Sequence, residues 1–208
     1  MDIYEAIKLR RTVRDFKDEK IEITMIKKIL NAGLLAPTND HMRSWNFVIM
    51  NDPAAKLELI KLVVKDRTEK QAITTLDNWG LVDRSQREMY IDAIPKQYKM
   101  LLNCGCLIVP CFQQTEPLLE PSKLSSLNGF ASIWCCIENI LLSAVAEGIY
   151  GVTRIPGDDE LTHIKTILNI PDDYEVPCYL ALGYPAENLK ELRQNFVNVE
   201  ERMHFNQW

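Results

Sequence analysis

Residues 36–50, APTNDHMRSWNFVIM, place turn-forming and hydrogen-bonding side chains directly before an apolar run. Pro37, Thr38 and Asn39 are residue types that favour loops and local hydrogen bonds. The run WNFVIM at 45–50 is aromatic and β-branched, and the NDP turn that follows breaks it off, so it predicts a strand. A polar loop that enters the core so abruptly is either a capped connection between a helix and a strand or one wall of a binding site.

Helices are predicted on both sides of this loop. Asp2 and Glu5 resemble a capping box at the start of a short helix. Thr24 is the expected N-cap of a second helix, whose apolar stripe ends before Pro37. Further helices are predicted at residues 54–65, 84–94 and 158–168. The polar stretch 66–100 is otherwise hard to assign, and we predict that it is a variable excursion or lid.

The other predicted strands are separated by helices. CGCLIVPCF at 104–112 reads as a buried strand, and Pro110 suggests an edge position or a bulge. IYGVTRI at 149–155 reads as a strand or a strand-like loop, and VPCYLALGYP at 176–185 reads as another strand. Because the order lacks a regular βαβ alternation, the sequence predicts a single α+β domain over residues 1–208.

The segment 128–148 is apolar on nearly every face and ends at Gly148, a typical C-terminal helix cap. Its length is close to that of a membrane span. Glu138 and Asn139 in its middle would be costly in lipid, which favours a central helix buried in protein, with no membrane partner. The polar segment 185–208, with its scattered aromatic side chains, predicts a C-terminal arm.

The composition describes an ordinary globular chain. It has 208 residues, 47% of them hydrophobic, and a net charge of −5, which argues against a nucleic-acid partner. The N-terminal residues mix acids and bases without an apolar leader, so we expect a cytoplasmic protein. Six cysteines lie in apolar contexts and are expected to be reduced, buried thiols.

Positive charge is concentrated near the N-terminus. Lys8, Arg10, Arg11 and Arg14 fall within seven positions, and Thr12 adds a hydroxyl among them. Arginine forks suit phosphate geometry, so this composition is typical of an anion site. The alternative is a solvated helix end whose cations interact with the helix dipole, and the residues alone leave both interpretations open.

Other catalytic patterns are missing from the sequence. It contains neither a dinucleotide-binding nor a P-loop glycine motif, and no serine elbow. His41, His163 and His204 share no metal-ligand spacing with one another or with the cysteines, so we predict no metal site. The side chains point either to a borrowed cofactor or to a protein without catalysis.

Four motifs in order resemble the FMN-dependent nitroreductase family. They are LRRTVRDF, APTNDHMRSWNFVIM, AVAEGIYGVTRIP and LNIPDDYEVPCYLALGYPAE, and the resemblance covers nearly all of the chain outside 66–100. It implies an antiparallel sheet surrounded by helices in a domain-exchanged homodimer, with FMN bound at the interface and C-terminal arms exchanged.

The resemblance also implies which residues surround the flavin. The first motif would hold the phosphate, the ribityl chain and the pyrimidine edge. The second would approach the flavin from the partner subunit, the third would lie beside the ring near N5, and cations of the arm would reach the phosphate. The implied cofactor-binding residues are, in that order, Arg10, Arg11, Thr12 and Arg14; Pro37, Thr38, Asn39, His41 and Arg43; Thr153, Arg154 and Ile155; and Lys190 and Arg193.

The implied activity is a ping-pong reaction in which NAD(P)H reduces FMN and a small electron-poor acceptor, such as a nitroaromatic or a quinone, reoxidises it. The chemistry then belongs to FMN, and no catalytic side chain is expected. Two alternatives stay open: dehalogenase-type chemistry on the same fold, and a flavin- or small-ligand-binding dimer without turnover.

Overall fold

The computed structural model describes residues 1–189, 192 and 196–208; the predicted site residues Lys190 and Arg193 lie outside them. The helices are α1 (Ile3–Leu9), α2 (Ile23–Leu34), α3 (Pro53–Leu59), α4 (Glu69–Asn78), α5 (Arg84–Asn103), α6 (Asn128–Ala146) and α7 (Asp158–Ile167). The strands are β1 (Trp45–Met50), β2 (Cys106–Gln113), β3 (Tyr150–Arg154), β4 (Tyr174–Glu175) and β5 (Tyr179–Gly183). Short 3₁₀ helices cover Asn39–His41, Leu124–Leu127 and Val199–Arg202.

The strands form one antiparallel sheet in the order β1-β2-β5-β3, and β4 pairs with the end of β2. One face packs on α2 and α6 in a cluster that includes Ile29, Ile108 and Ile140. The other face packs on α3, α5 and α7 in a second cluster that includes Leu107 and Ile164. The α+β prediction and the antiparallel sheet surrounded by helices are confirmed.

The expectation that Pro110 marks an edge strand or a bulge is wrong, because β2 is paired on both sides. Gln113 donates its N–H to the Ser44 carbonyl on the β1 side. The backbone N–H groups of successive strand residues point in turn toward the two neighbouring strands. Pro110 is three residues before Gln113, so its nitrogen faces away from β1. There the pairing with β5 ends at Ile108 and the pairing with β4 starts at Phe112. The missing N–H therefore falls in a gap between two partner strands.

The start of α2 differs from the prediction. The N-cap is Glu22, which makes no side-chain capping bond, and Thr24 lies inside the helix. Ile21 immediately precedes the cap, Ile26 is the fourth helical residue, and both belong to the first core cluster. This spacing is that of a hydrophobic staple, so burial of two isoleucines sets the helix start in place of a hydroxyl cap.

Tertiary packing also changes the helix lengths. The helix predicted at 54–65 ends at Leu59. The helix predicted at 84–94 continues through Pro95 to Asn103, although proline removes a helical hydrogen bond. The turns beyond Pro95 bury Met100 and Leu101 in the second core cluster, which offsets that loss. Within the stretch 66–100, α4 and α5 pack together around a small cluster of their own.

Helix α6 ends as predicted. Gly148 has a φ of +73°, the Gly148 N–H donates to Val145 O, and the Ile149 N–H donates to Ala144 O. These two bonds form a Schellman motif. By length and composition, Leu124–Ala146 is also the one segment of the described chain that would qualify as a membrane span. In the structure one side of this segment packs against α2, α1 and the sheet, and 39% of its apolar window is buried.

The six cysteines are free thiols, and five of them are buried. Burial raises the pKa of Cys104 and of Cys111 to about 11. The expectation of reduced, buried thiols is therefore confirmed except at Cys135, which is exposed on the outer face of α6.

The contact of α2 with α6 leads to a prediction about Gly33. A Cβ at this position would lie 2.6 Å from Ile140 Cγ1 and 3.1 Å from Cys136 Sγ. Gly→Ala inside a helix normally stabilises a protein, but here we expect Gly33→Ala to lower the free energy of unfolding by about 1–3 kcal/mol through overpacking. Urea unfolding of the two proteins would measure the difference.

The matched control is Asn31→Ala on the exposed side of α2, which should be neutral or slightly stabilising. Ile140→Ala removes the atoms that clash, so the double variant Gly33→Ala/Ile140→Ala should be more stable than the sum of the single changes implies. Additive changes would contradict the packing explanation.

Candidate functional site

The basic segment, residues 10–14, lies along the outer edge of β3. Thr12 forms a parallel bridge to Gly151, and the N–H of Val13 donates to Gly151 O at 3.2 Å. Arg10 caps the end of α1, with its own N–H bonded to Ala6 O. Two predicted groups of site residues that lie about 140 positions apart in the sequence, 10–14 and 153–155, are thereby placed side by side.

The cations of this segment are poorly neutralised. Arg10 is 3.4 Å from Glu138, in a half-exposed pair. Arg11 is exposed and forms no ion pair with any described residue. Arg14 is half-buried and donates to the Met89 sulfur at 3.7 Å. A thioether is a weak acceptor, so two guanidinium groups remain available to an anion.

Burial lowers the pKa of Arg14, and the nearby Asp92 and Asp15 oppose this effect. An arginine starts from so high a pKa that it stays charged at neutral pH. Arg14 therefore presents a partly desolvated positive charge, and desolvation strengthens its attraction for an anion.

The third predicted group, residues 153–155, contains one neutralised cation and two side chains that are open to a ligand. The Arg154 guanidinium forms a two-pronged ion pair with Glu160, with one N···O distance of 2.8 Å, and its Nε donates to Gln97 at 3.3 Å. Both partners of the pair are nearly buried, so the charge of Arg154 is already neutralised. Thr153 is half-buried and Ile155 is 62% exposed, which leaves these two side chains open to a ligand.

The polar loop at residues 37–44, here called the strained loop, is held in an unusual backbone conformation. Asp40, His41 and Arg43 have φ values of 49°, 55° and 47°, a left-handed region that is unfavourable for side chains other than glycine. Pro37 precedes them on the exposed surface, and Thr38 is half-buried. Three such residues in four positions require outside restraints.

Those restraints come from the first turns of α6. The Asn39 N–H donates to Ser132 Oγ at 3.2 Å, and Asn128 Nδ2 donates to Asn39 Oδ1 at 3.1 Å. A cavity of about 380 Å³ lies beside this contact, also lined by Gln114 and Lys123. Sequence reasoning missed these residues, although the polar run SSLN before an apolar helix was a visible signal.

The loop and the basic segment meet the same helix at different heights. The loop contacts Asn128 and Ser132, whereas Arg10 pairs with Glu138. With a rise of about 1.5 Å per residue, these contacts are about 9–15 Å apart along α6. A single chain therefore does not bring the loop and the cations together around one small group.

Comparison with known proteins identifies the family of the chain. The model of the nitroreductase family matches residues 7–184. A putative NADH dehydrogenase/NAD(P)H nitroreductase of Methanothermobacter thermautotrophicus is 27% identical over all of this chain and 88% of its own length. An iodotyrosine deiodinase of Nematostella vectensis is 24% identical over 97% of this chain and 74% of its own.

A solved structure shares the fold. Oxidized iodotyrosine deiodinase bound to FMN and 3-iodo-L-tyrosine superposes with a TM-score of 0.75 and 20% identity over the full length of both chains. The family match includes the basic segment, the strained loop, β3 and β5. The resemblance seen in the four motifs is thus confirmed over the body of the domain, and the chain belongs to the nitroreductase family.

Proposed function

We propose that the protein is an FMN-dependent oxidoreductase that uses NAD(P)H to reduce nitroaromatics, quinones or similar electron-poor small molecules by ping-pong hydride transfer. The observation that carries this proposal is the basic segment at the edge of β3, where Arg11 and Arg14 have no carboxylate within 4 Å among the described residues. Membership of the nitroreductase family and the relative named as an NAD(P)H nitroreductase support it.

The residues present fit FMN. Its phosphate is a dianion that needs guanidinium and hydroxyl donors, and Arg10, Arg11 and Thr12 offer them on an exposed stretch of chain. FMN supplies the hydride chemistry when bound, and the protein supplies binding, orientation and electrostatics. The half-buried charge of Arg14 would stabilise negative charge on the pyrimidine edge. Thr153 and Ile155 would pack beside the ring and exclude water.

A homodimer would complete this site. Ile3, Tyr4 and Ile7 are more than half exposed on α1, and Cys135 is exposed on the neighbouring face of α6. Such an uncovered apolar surface is typical of an interface. We propose that two copies associate through α1 and α6, so that the strained loop of one copy, including His41 and Arg43, approaches the basic segment of the other.

The C-terminal arm would extend the same interface. Phe196 is 92% exposed, Phe205 is 79% exposed, and Trp208 is fully exposed in the isolated chain. Large aromatic side chains supply much of the binding energy of interfaces and are stabilised by burial. We propose that each arm lies on the other subunit, as expected for a domain-exchanged homodimer.

Dehalogenation is the second candidate reaction. The relative and the solved structure named as iodotyrosine deiodinases favour it, since each covers essentially this whole chain. In this reaction the acceptor would be a halogenated aromatic ring, which takes up two electrons and a proton and releases a halide. A binding dimer without turnover is less well supported, because these relatives carry the names of enzymes.

The first experiment is the visible spectrum of the purified protein, followed by denaturation and identification of the released cofactor. We expect FMN at about one per chain, and reduction by NADH or NADPH under anaerobic conditions. Reoxidation by a nitroaromatic or a quinone would support the main proposal, whereas iodide release from 3-iodotyrosine would support dehalogenation. A protein that cannot bind added FMN would rule out both.

The role of the basic segment predicts that Arg10→Ala weakens FMN binding. A charge-assisted contact to phosphate is lost, so we expect the dissociation constant to rise about 10- to 100-fold. The exposed pair with Glu138 contributes little, so stability should change by less than about 0.5 kcal/mol. Fluorescence titration of the apoprotein with FMN measures the first effect, and thermal unfolding measures the second.

The matched control is Lys8→Ala, which removes the same charge from an exposed position in the last turn of α1. It should change FMN affinity far less than Arg10→Ala does. Equal effects of the two substitutions would mean that general electrostatics, and no specific contact of Arg10, hold the cofactor.

The proposed interface predicts that Ile7→Glu dissociates the dimer. Ile7 is 53% exposed in the single chain, so a glutamate is tolerated by the monomer but would be buried without a partner in the dimer. Light scattering after size exclusion should show a shift to monomer, together with loss of FMN.

Val64→Glu is the control, because Val64 is an apolar residue with the same 53% exposure and follows α3, which packs on the opposite face of the sheet from α6. This variant should remain dimeric and keep its flavin. A wild-type protein that is monomeric with full flavin content would disprove the interface.

A further inference from the structure

One face of α5 lies against the basic segment through charged and polar contacts. Met89, Asp92 and Lys96, spaced three and four residues apart, share this face of the helix. Lys96 Nζ is 2.5 Å from Asp15 Oδ2 and 2.7 Å from Asp92 Oδ1. The lysine thus joins a carboxylate of its own helix to the carboxylate that follows Arg14 in sequence.

This contact is partly shielded from solvent. The side chain of Lys96 is 26% exposed, that of Asp92 is 11% exposed and that of Asp15 is 38% exposed. The two aspartates raise the pKa of Lys96 against the opposing effect of its burial. The lysine and the two aspartates therefore hold one another in place.

The neighbouring Arg14 is the unusual member of this group. Both Asp92 and Asp15 act on its guanidinium electrostatically, yet neither oxygen lies within 4 Å of it, and its described hydrogen bond goes to the Met89 sulfur. A half-buried arginine beside two carboxylates normally takes one of them in a two-pronged pair. Here the lysine instead holds one oxygen of each carboxylate.

We propose that Lys96 is a positioning residue that keeps Arg14 available to the flavin by holding Asp15 and Asp92. This inference rests on the proposed FMN site. The four groups carry two positive and two negative charges, so their sum is zero before a ligand binds. Removal of the lysine would leave a net charge of −1 and two carboxylates free to neutralise Arg14.

The arrangement gives α5 a function in the site. Its next residue, Gln97, accepts a hydrogen bond from Arg154 at the end of β3. Helix α5 therefore contacts an arginine on each of the two segments proposed to flank the flavin. The two arginines differ in whether a carboxylate neutralises them. Arg154 is locked to Glu160 with the help of Gln97, whereas Arg14 is kept free of carboxylates by Lys96.

The test is FMN affinity of the apoprotein, measured by quenching of flavin fluorescence, together with the midpoint potential of the bound flavin. Lys96→Met keeps the length of the side chain and removes its charge. We expect the dissociation constant for FMN to rise about 10- to 100-fold. The midpoint potential should fall, because reduced flavin carries a negative charge that Arg14 would no longer stabilise.

The charge-restoring variant separates positioning from packing. Lys96→Met/Asp92→Asn returns the net charge to zero and removes one competitor for Arg14, so it should recover most of the lost affinity and potential. A merely structural role for Lys96 predicts no recovery, because Asp92→Asn does not restore the contact between α5 and Asp15. Arg14→Met should make the effect of Lys96→Met small, since both act through one group.

Asp92→Asn alone tests the same idea without the lysine variant. With Lys96 still bound to Asp15, it removes a negative charge near Arg14 and should tighten FMN binding, a change of opposite sign. Circular dichroism would check that each variant is folded. If Lys96→Met does not fold, the direction in which Asp92→Asn changes FMN affinity tests the inference. Weaker FMN binding by Asp92→Asn would overturn the inference.

Two further outcomes distinguish failure of the positioning role from failure of the proposed function. A wild-type protein that binds FMN and a Lys96→Met variant that binds it equally well, at an unchanged potential, would overturn the positioning role and leave the proposed function standing. A wild-type apoprotein that fails to bind FMN would overturn the proposed function itself, and this inference with it.

Discussion

The close packing of α2 on α6 sets the distances between the polar groups of the candidate site. Gly33 leaves no side chain between the two helices, so Ile140 approaches the backbone of α2 directly. With α6 fixed in this way, its first turns restrain the strained loop through Ser132, and its middle meets the end of α1 through Glu138 and Arg10. The hydrophobic core thus sets the spacing between two groups of polar residues that never touch each other within one chain.

The electrostatics of the chain follow from how its carboxylates are distributed. The net charge is −5, so an anion site can exist only where acids are held away from selected cations. Glu160 neutralises Arg154, whereas Lys96 occupies Asp15 and Asp92. An acidic protein can in this way keep selected guanidinium groups free of direct carboxylate contacts without an excess of basic residues.

Local chemistry made part of this structure predictable. The Gly148 cap and the strand at 45–50 depend on neighbouring residues alone, and both were predicted. The start of α2 and the continuation of α5 through Pro95 depend on burial against distant elements, which local signals do not contain. Pro110 was misassigned because a gap between two partner strands has no signature in the strand itself.

The candidate site also combines features that the local sequence predicts with features that depend on distant elements. The cations at 10–14 were recognisable from composition, but their position beside β3 was implied only by the family resemblance and depends on the bridge from Thr12 to Gly151. Arg14 and Arg154 are indistinguishable as letters in the sequence. Their difference arises because α5 presents Lys96 near the first and Gln97 to the second. Since flavin can serve several reactions on one fold, the walls that surround it select among them. In this protein the helix that contacts both arginines is α5, which lies within the stretch whose sequence carries the weakest local signal.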